Sequence, residues 1–134
     1  MSLDNVALIR AIYESFAAGD VPGVIARMSP DIVWNEAENF PYADGNPYCG
    51  PEAILAGVFA RLGTEWDGFA AVPEEYLDAG ETVVVQGRYR GTCKATGRAL
   101  DSQLAHIWRV ARGRAVRFQQ YTDPLPAARV TGAL

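Results

Sequence analysis

The sequence predicts an α+β fold in which helices come first and an antiparallel sheet follows. Near the N-terminus, apolar residues recur at the three- and four-residue spacing of an amphipathic helix: Ile9, Ile12, Tyr13 and Phe16. Further along, residues 100–110 alternate in period two around His106, which indicates a β-strand with two different faces. A turn at residues 111–114 leads into a second alternating run, and Gly113 allows the positive φ angle of a tight hairpin.

Three helices are predicted in the N-terminal half. The first begins near Asp4, a residue type that caps helix N-termini, and ends at Gly19. Asp20 caps a short second helix, which buries Met28 among its apolar residues and ends at Pro30. The third helix starts at residue 50, after a long loop, and carries one apolar stripe: Ile54, Leu55, Val58, Phe59 and Leu62.

The rest of the chain is predicted to form strands. They are expected at residues 31–36, 69–77, 82–92, 100–110 and 115–122. Pro73 marks its strand as an edge strand or a bulged one, because proline cannot donate to a ladder. The loop between the first strand and the third helix, residues 37–49, is long for a small domain, and such loops often carry function.

The bulk composition indicates one ordinary soluble domain over residues 1–134, with 49% hydrophobic and 21% charged residues. The net charge of −4 gives no electrostatic reason to bind nucleic acid or an anionic membrane, and no apolar run reaches the length of about 20 residues that a membrane span needs. The N-terminus lacks signal-peptide features, so we expect a cytoplasmic protein. Cys49 and Cys93 show no metal spacing, and we expect neither a metal nor a cofactor; the thiols are either reduced or joined in a disulfide.

The phase of three strands places polar side chains on faces that are otherwise apolar. The polar residues and their neighbours in phase are Glu36 with Ile32 and Trp34, His106 with Leu104 and Trp108, and Gln120 with Val116 and Phe118. Helices on a curved sheet leave a hollow, so we expect these groups to project into it. Other arrangements stay open. Glu36 lies either at the solvent-exposed rim of the hollow or in an ion pair with an arginine or with His106. His106 is alternatively hydrogen-bonded to a buried neighbour, and Gln120 to the backbone.

Together these polar groups suit proton transfer next to a carbonyl. An apolar pocket disfavours the charged form of Glu36, so we expect its pKa to rise toward the range of a general base. A neutral His106 can donate a hydrogen bond to a developing oxyanion, and Gln120 can orient a substrate. The predicted walls of the hollow are Ile12, Phe16, Trp34, Tyr89, Leu104, Trp108 and Phe118. In the long loop, the aromatic residues form either a lid or a unit packed on itself: Phe40, Tyr42 and Tyr48.

Several segments resemble a known family in their order and spacing. They are AIYESFAAGD at residues 11–20, DIVW at 31–34, CGPEAI at 49–54, AHIWRV at 105–110 and QYTD at 120–123. The chain resembles the nuclear transport factor two-like superfamily, and most of all its SnoaL-like polyketide cyclase and ketosteroid isomerase-like branches. The resemblance implies a cone of curved, mostly antiparallel sheet closed by three helices, with a pocket in the cone, and a homodimer.

The resemblance also implies roles for particular residues. Relative to ketosteroid isomerases, Glu36 falls at the position of the catalytic base and His106 at that of an oxyanion-binding aspartic acid. Ile12 falls at the position of an oxyanion-binding tyrosine. Tyr13 is one residue away, about 100° around the helix, so we do not expect it to take that place. An acid–base aspartate of the polyketide cyclases matches Gln120, which cannot transfer a proton.

We therefore expect a small cofactor-free enzyme of the isomerase, cyclase or dehydratase type, acting on a mostly apolar carbonyl or enol compound. One alternative is a non-catalytic protein that binds a small hydrophobic molecule in the same hollow. Another is an interaction module that uses the outer face of the sheet, which carries Ala105, Ile107 and Tyr121. The same outer face is the predicted surface of a homodimer.

Overall fold

Two helices precede the first strand in the computed structural model, which describes residues 2–134 and the side chains of residues 4–134. Helix α1 covers Ser2–Ala17, so it begins before Asp4, and Asp4 lies in the first turn, where the helix dipole favours an acidic residue. Helix α2 covers Val21–Ala26. Asp20 caps α2 as predicted, because its side chain accepts a hydrogen bond from the Gly23 N–H at 3.0 Å.

The third helix, at residues 51–65, changes its winding in the middle. Its α-helical, π-helical and α-helical segments are, in order, Pro51–Ile54, Leu55–Phe59 and Ala60–Glu65. Val58 and Phe59, neighbours in the wider π turn, are both buried. A π turn of this kind occurs often at functional sites, and here both of its buried residues face the sheet side of the helix layer.

Six strands form one curved, unclosed sheet in the described part of the chain: β1 Met28–Asn35, β2 Tyr48–Cys49, β3 Trp66–Ala79, β4 Thr82–Cys93, β5 Ala99–Ala111 and β6 Arg114–Thr122. Their order across the sheet is β2-β1-β6-β5-β4-β3. β1 runs parallel to β6, and the other neighbours run antiparallel. The β5–β6 hairpin turns at Arg112 and Gly113, whose φ angles are 54° and 73°. The predicted α+β class with a curved, mostly antiparallel sheet is confirmed.

β1 begins earlier than predicted. Met28 lies in this strand rather than in α2, and Pro30 lies inside the strand instead of ending the helix. The pairing of β1 with β6 shifts register between Met28 and Val33. Pro30 falls in this interval and has no N–H to donate to a ladder, which explains why the strand is irregular there.

β3 is an edge strand with a bulge, as Pro73 predicts. Its pairing with β4 shifts register between Pro73 and Glu75. Gly87 of β4 faces this bulge, and a Cβ at Gly87 would lie 2.0 Å from the carbonyl oxygen of Val72. The sheet therefore needs glycine at this point, because a larger residue would push the two backbones apart.

A second bulge changes which residue of β6 is buried. Arg109 of β5 pairs with Arg117, but the next residue, Val110, pairs with Ala115, so residue 116 is an extra residue on β6. Ala115 is fully buried and Val116 only partly so. This corrects the predicted inward set at the start of β6, while the remainder of that set keeps its phase.

A C-terminal helix at Pro124–Thr131 was not predicted from the sequence pattern. The Asp123 side chain caps it by accepting a hydrogen bond from the Leu125 N–H at 3.0 Å, and Gly132 ends it with a φ angle of 81°. The helix packs over part of the inner face of the sheet, meaning the face that carries Trp34, His106 and Gln120. Its buried residues are Ala127 and Val130.

Candidate active site

A narrow cavity of about 60 Å³ lies between α1, the third helix and the inner face of the sheet. Its wall includes six of the predicted wall residues: Ile12, Phe16, Trp34, Tyr89, Trp108 and Phe118. The same cavity is lined by the three predicted polar residues, which come from the end of β1, from β5 and from β6: Glu36, His106 and Gln120. Phe16, Leu62 and Phe69 are partly exposed, which places the mouth of the cavity between α1, the third helix and β3.

Leu104, the remaining predicted wall residue, lies outside this cavity. It is 5% exposed and packs in a separate buried cluster that includes Ala127 and Val130 of the C-terminal helix. The strand phase places Leu104 on the inner face correctly, but the C-terminal helix fills that part of the face. Leu104 is therefore a core residue rather than part of the cavity wall.

His106 is buried, and each of its ring nitrogens faces a tyrosine hydroxyl. Tyr13 Oη lies 2.5 Å from Nδ1, and Tyr89 Oη lies 2.5 Å from Nε2. Trp108 Nε1 donates to the Tyr13 hydroxyl at 2.9 Å, and Gln120 Nε2 donates to the Tyr89 hydroxyl at 2.7 Å. Burial lowers the pKa of His106 from 6.5 to about 3, so the imidazole is neutral near pH 7.

A neutral imidazole has one N–H and one bare nitrogen, so the two tyrosines cannot play the same part. One hydroxyl donates its hydrogen to the bare nitrogen, and the other hydroxyl accepts the imidazole N–H. The accepting hydroxyl then receives two hydrogen bonds, and its own hydrogen has no further acceptor in the described part of the chain. That tyrosine hydrogen is available for one further hydrogen bond.

Tyr13 lines the cavity and bonds His106, a contact that its position in α1 did not indicate. Ile12 and Tyr13 both line the cavity, although they are about 100° apart around the helix. The sheet curves around α1, so Tyr13 packs edge-on against Tyr76 of β3 and against Trp108 of β5. Strand phase alone does not reveal this curvature, which brings a distant strand to a second face of the helix.

Glu36, the first residue after β1, holds its carboxyl inside the cavity. The residue is 3% exposed, and Trp34 Nε1 donates to its Oε2 at 3.0 Å. Burial raises the pKa of Glu36 from 4.5 to about 7, while the Trp34 hydrogen bond and the charge of Arg61 act in the opposite direction. In the described part of the chain no ion pair joins Glu36 to an arginine or to His106. Glu36 is therefore neither a rim residue in water nor half of a salt bridge.

Gln120 uses both ends of its amide within the protein. Its Oε1 accepts a hydrogen bond from the Ala37 N–H at 2.9 Å, and its Nε2 donates to the Tyr89 hydroxyl. Gln120 therefore has the backbone partner that the sequence left open, and it also lines the cavity. Through these two bonds Gln120 holds Tyr89 in place against the end of β1.

The aromatic residues of the loop after β1 divide between two roles. Phe40 lines the cavity. Tyr42 donates to Glu65 Oε1 at 2.6 Å and accepts from Trp66 Nε1 at 2.9 Å, and Tyr48 donates to the carbonyl oxygen of Tyr42 at 2.6 Å. The loop is thus partly a cover of the cavity and partly a unit packed by its own aromatic rings.

The reactive groups that line the cavity are the Glu36 carboxyl and the hydroxyls of Tyr13 and Tyr89. The described residues contain no group of three or more histidine, cysteine or acidic side chains that could hold a metal ion. Cys49 and Cys93 are free thiols, and no described helix is both long and apolar enough to cross a membrane. A carboxyl with a pKa near neutrality and a tyrosine O–H that line one cavity are a combination that suits proton abstraction next to a carbonyl.

The helices, the curved sheet and the cavity between them define the NTF2-like fold. Among solved structures, an NTF2-like protein from Burkholderia thailandensis is 37% identical, with a TM-score of 0.89 over 93% of this chain and 95% of the other. A protein from Jannaschia sp. CCS1, assigned as a SnoaL-like polyketide cyclase, is 20% identical, with a TM-score of 0.83 over 98% and 94% of the two chains. This second likeness shows the shared fold.

The chain belongs to the SnoaL-like domain family, whose model matches residues 9–118. None of the curated proteins matches it significantly. TerC, which was co-crystallised with polyporic acid, is 26% identical, with a TM-score of 0.86 over 96% of this chain and 98% of the other. The predicted superfamily and its SnoaL-like branch are confirmed.

Proposed function

We propose that this protein catalyses cofactor-free proton transfer on a small, mostly apolar carbonyl or enol compound that binds in the cavity. The observation that carries the proposal is the Glu36 carboxyl, which is buried in an apolar cavity and has a pKa of about 7. A base with this pKa is ionised in a large fraction of molecules near pH 7, and it is a stronger proton acceptor than an ordinary carboxylate.

In the proposed reaction, ionised Glu36 removes a proton from the carbon next to the carbonyl. The C–H electron pair moves into the adjoining C–C bond and the carbonyl electrons move onto oxygen, which gives an enolate. The free tyrosine hydrogen beside His106 stabilises this oxygen. Protonated Glu36 then returns its proton to carbon, so the residue ends the cycle as it began. If the proton returns to the same carbon, the reaction only exchanges hydrogen with solvent. If it goes to a different carbon of the enolate system, the reaction is an isomerisation.

His106 has a different part in this proposal from the one first expected. Both of its ring nitrogens face tyrosine hydroxyls, so the imidazole is not free to donate to a ligand. It orients Tyr13 and Tyr89 and is a positioning residue, and one of these tyrosines is the oxyanion donor. A hydroxyl that accepts two hydrogen bonds is a better donor through its own hydrogen, because the bonds it accepts stabilise negative charge on the oxygen.

The size of the cavity limits the substrate. A volume of about 60 Å³ is far below the roughly 300–1,000 Å³ of pockets for drug-sized ligands. A cavity that binds benzene measures about 150 Å³, so even a one-ring substrate requires movement of the partly exposed mouth residues Phe16 and Phe69. The relative co-crystallised with polyporic acid supports an organic ligand over a macromolecule.

The test is hydrogen–deuterium exchange of small neutral ketones, followed by proton NMR in D₂O. Cyclopentanone and cyclohexanone are suitable probes, because their α-hydrogens exchange only if the carbon acid is deprotonated. We expect wild-type protein to accelerate the exchange and Glu36→Gln to lose about 100-fold or more of that rate. Glu38→Gln, which removes an exposed carboxylate two residues away, is the matched control and should keep the rate. Equal rates for wild type and Glu36→Gln would reject the proposal.

A binding protein without catalysis is the second candidate, and one observation favours it. Every buried polar side-chain atom in the described chain has a hydrogen-bond partner, so the cavity is stable as an apolar binding site without a reacting substrate. Trp34 and Trp108 line the cavity, so their fluorescence reports binding of the same ketones. Binding that survives Glu36→Gln, together with no exchange by the wild type, would favour this second function.

A further inference from the structure

The backbone ladder stops just before Glu36. β2 pairs with β1 at two positions, Val33 with Cys49 and Trp34 with Tyr48. Continuing this antiparallel register sets residue 35 opposite residue 47, and residue 36 opposite residue 46. In this register residues 36 and 46 would form a hydrogen-bonded pair, because the Gly50 N–H already donates to the Ile32 carbonyl oxygen. The Asn46 N–H donates instead to the Ala43 carbonyl oxygen, so the regular ladder does not extend to Glu36.

The side chain of Asn46 replaces the missing strand neighbour. Its Oδ1 accepts a hydrogen bond from the Glu36 N–H at 2.9 Å, and its Nδ2 donates to the Glu36 carbonyl oxygen at 2.8 Å. A hydrogen-bonded pair in an antiparallel ladder exchanges the same two bonds between peptide groups. On the opposite edge, Gln120 Oε1 accepts from the Ala37 N–H. Two side-chain amides thus hold the backbone at residues 36 and 37 after the strand has ended.

Asn46 is itself held by the loop that contains it. A short 3-10 helix at Pro41–Gly45 ends directly before it, and the Asn46 N–H donates to the Ala43 carbonyl oxygen at 3.1 Å. Arg61 of the third helix donates two hydrogen bonds to the carboxylate of Asp44 in this segment, at 2.8 and 3.0 Å. The segment that carries Asn46 is therefore fixed to the third helix, and this holds the Asn46 amide in place beside Glu36.

We propose that Asn46 is a positioning residue for Glu36: its side-chain amide fixes the backbone of residue 36 and so keeps the Glu36 carboxyl inside the cavity. Without the amide, the N–H and C=O of Glu36 need water as a partner, and water at that point gives the carboxyl a hydrated alternative to its bond with Trp34. The catalytic meaning of this role rests on the proposed function, whereas the placement of the carboxyl does not.

The experiment measures the Glu36 carboxyl directly, by ¹³C NMR titration of protein labelled at the glutamate side chains, with Glu36→Gln to assign the signal. In Asn46→Ala we expect the pKa of Glu36 to fall by about one pH unit or more from the wild-type value, because the carboxyl becomes hydrated. Asn5→Ala is the matched control. Asn5 donates one exposed hydrogen bond to the Gly80 carbonyl oxygen, so its removal should leave Glu36 unchanged.

A purely structural role of Asn46 predicts a different result. Asn46→Ala would then unfold at a lower temperature while the pKa of Glu36 kept its wild-type value, and this outcome would overturn the proposal. If Asn46→Ala does not fold, Asn46→Ser gives the same test, because the serine side chain is too short to make both bonds. The titration needs no substrate, so a failure of the ketone exchange assay would reject the proposed function and leave this result standing.

Discussion

Replacing Glu36 by glutamine should stabilise the protein in a pH-dependent way. The carboxyl sits in an apolar cavity, and its pKa is raised from 4.5 to about 7. Below pH 4.5 the residue is protonated in both the folded and the unfolded chain, and its contribution to stability is fully present. As the pH rises through about 7 the folded protein must also ionise it, and that contribution is lost. Glutamine stays neutral at every pH, so Glu36→Gln avoids the loss.

The size of the effect follows from the interval between the two pKa values. Each pH unit between 4.5 and about 7 is worth about 1.4 kcal/mol in the free energy of unfolding, which gives a total of about 3.5 kcal/mol. The expected advantage of Glu36→Gln is therefore close to zero at pH 4 and about 3.5 kcal/mol at pH 8.5. The glutamine oxygen can still accept the hydrogen bond from Trp34, so the comparison isolates the charge.

Urea unfolding followed by far-UV circular dichroism, at several pH values, measures this difference. Glu38→Gln serves as the control, because Glu38 is exposed and its replacement should leave the free energy of unfolding nearly unchanged at each pH. A stability difference between wild type and Glu36→Gln that is the same at pH 4 and pH 8.5 would mean that the folded protein ionises Glu36 as easily as the unfolded chain does.

Three further predictions concern His106, Trp34 and the outer sheet face. Because burial lowers the pKa of His106 to about 3, its ring signals should not titrate between pH 5 and 8 in NMR spectra; a midpoint near 6.5 would contradict this. Its contribution to stability should be lost as the pH falls from 6.5 toward 3. Trp34→Phe removes the N–H that stabilises the Glu36 carboxylate, so ¹³C titration should give a higher Glu36 pKa. If the outer face forms a homodimer, sedimentation should show Ile107→Asp as a monomer and wild type as a dimer.

Much of the site could be predicted because strand phase is a local property. The alternation around His106 is long and regular, and β5 buries each second residue from Leu100 to Val110. The same logic placed Glu36 and Gln120 on the inner face. At the start of β6 the strand phase gave the wrong buried residue, because a bulge at residue 116 buries Ala115 instead of Val116. The segment before the bulge is too short for its change of phase to be seen in the sequence.

The features that the sequence pattern did not reveal concern relations between distant parts of the chain. Tyr13 reaches His106 because the sheet curves around α1, and curvature depends on the whole sheet. Leu104 is covered by a C-terminal helix whose short sequence holds two prolines, Pro124 and Pro126, which hide its helical pattern, although Asp123 before it is a recognisable cap. Tyr89 was placed on the inner face from its phase, but its bond to His106 depends on the register of β4 against β5.

If Glu36 is the base of the proposed proton transfer, the pH dependence of ketone exchange should follow the ionisation of its carboxyl. The rate of α-hydrogen exchange in cyclopentanone, measured by proton NMR at a fixed protein concentration, should rise with pH and level off above a midpoint near 7. This rise should be absent in Glu36→Gln. A protein-dependent rate that shows the same pH profile in wild type and in Glu36→Gln would mean that Glu36 is not the base.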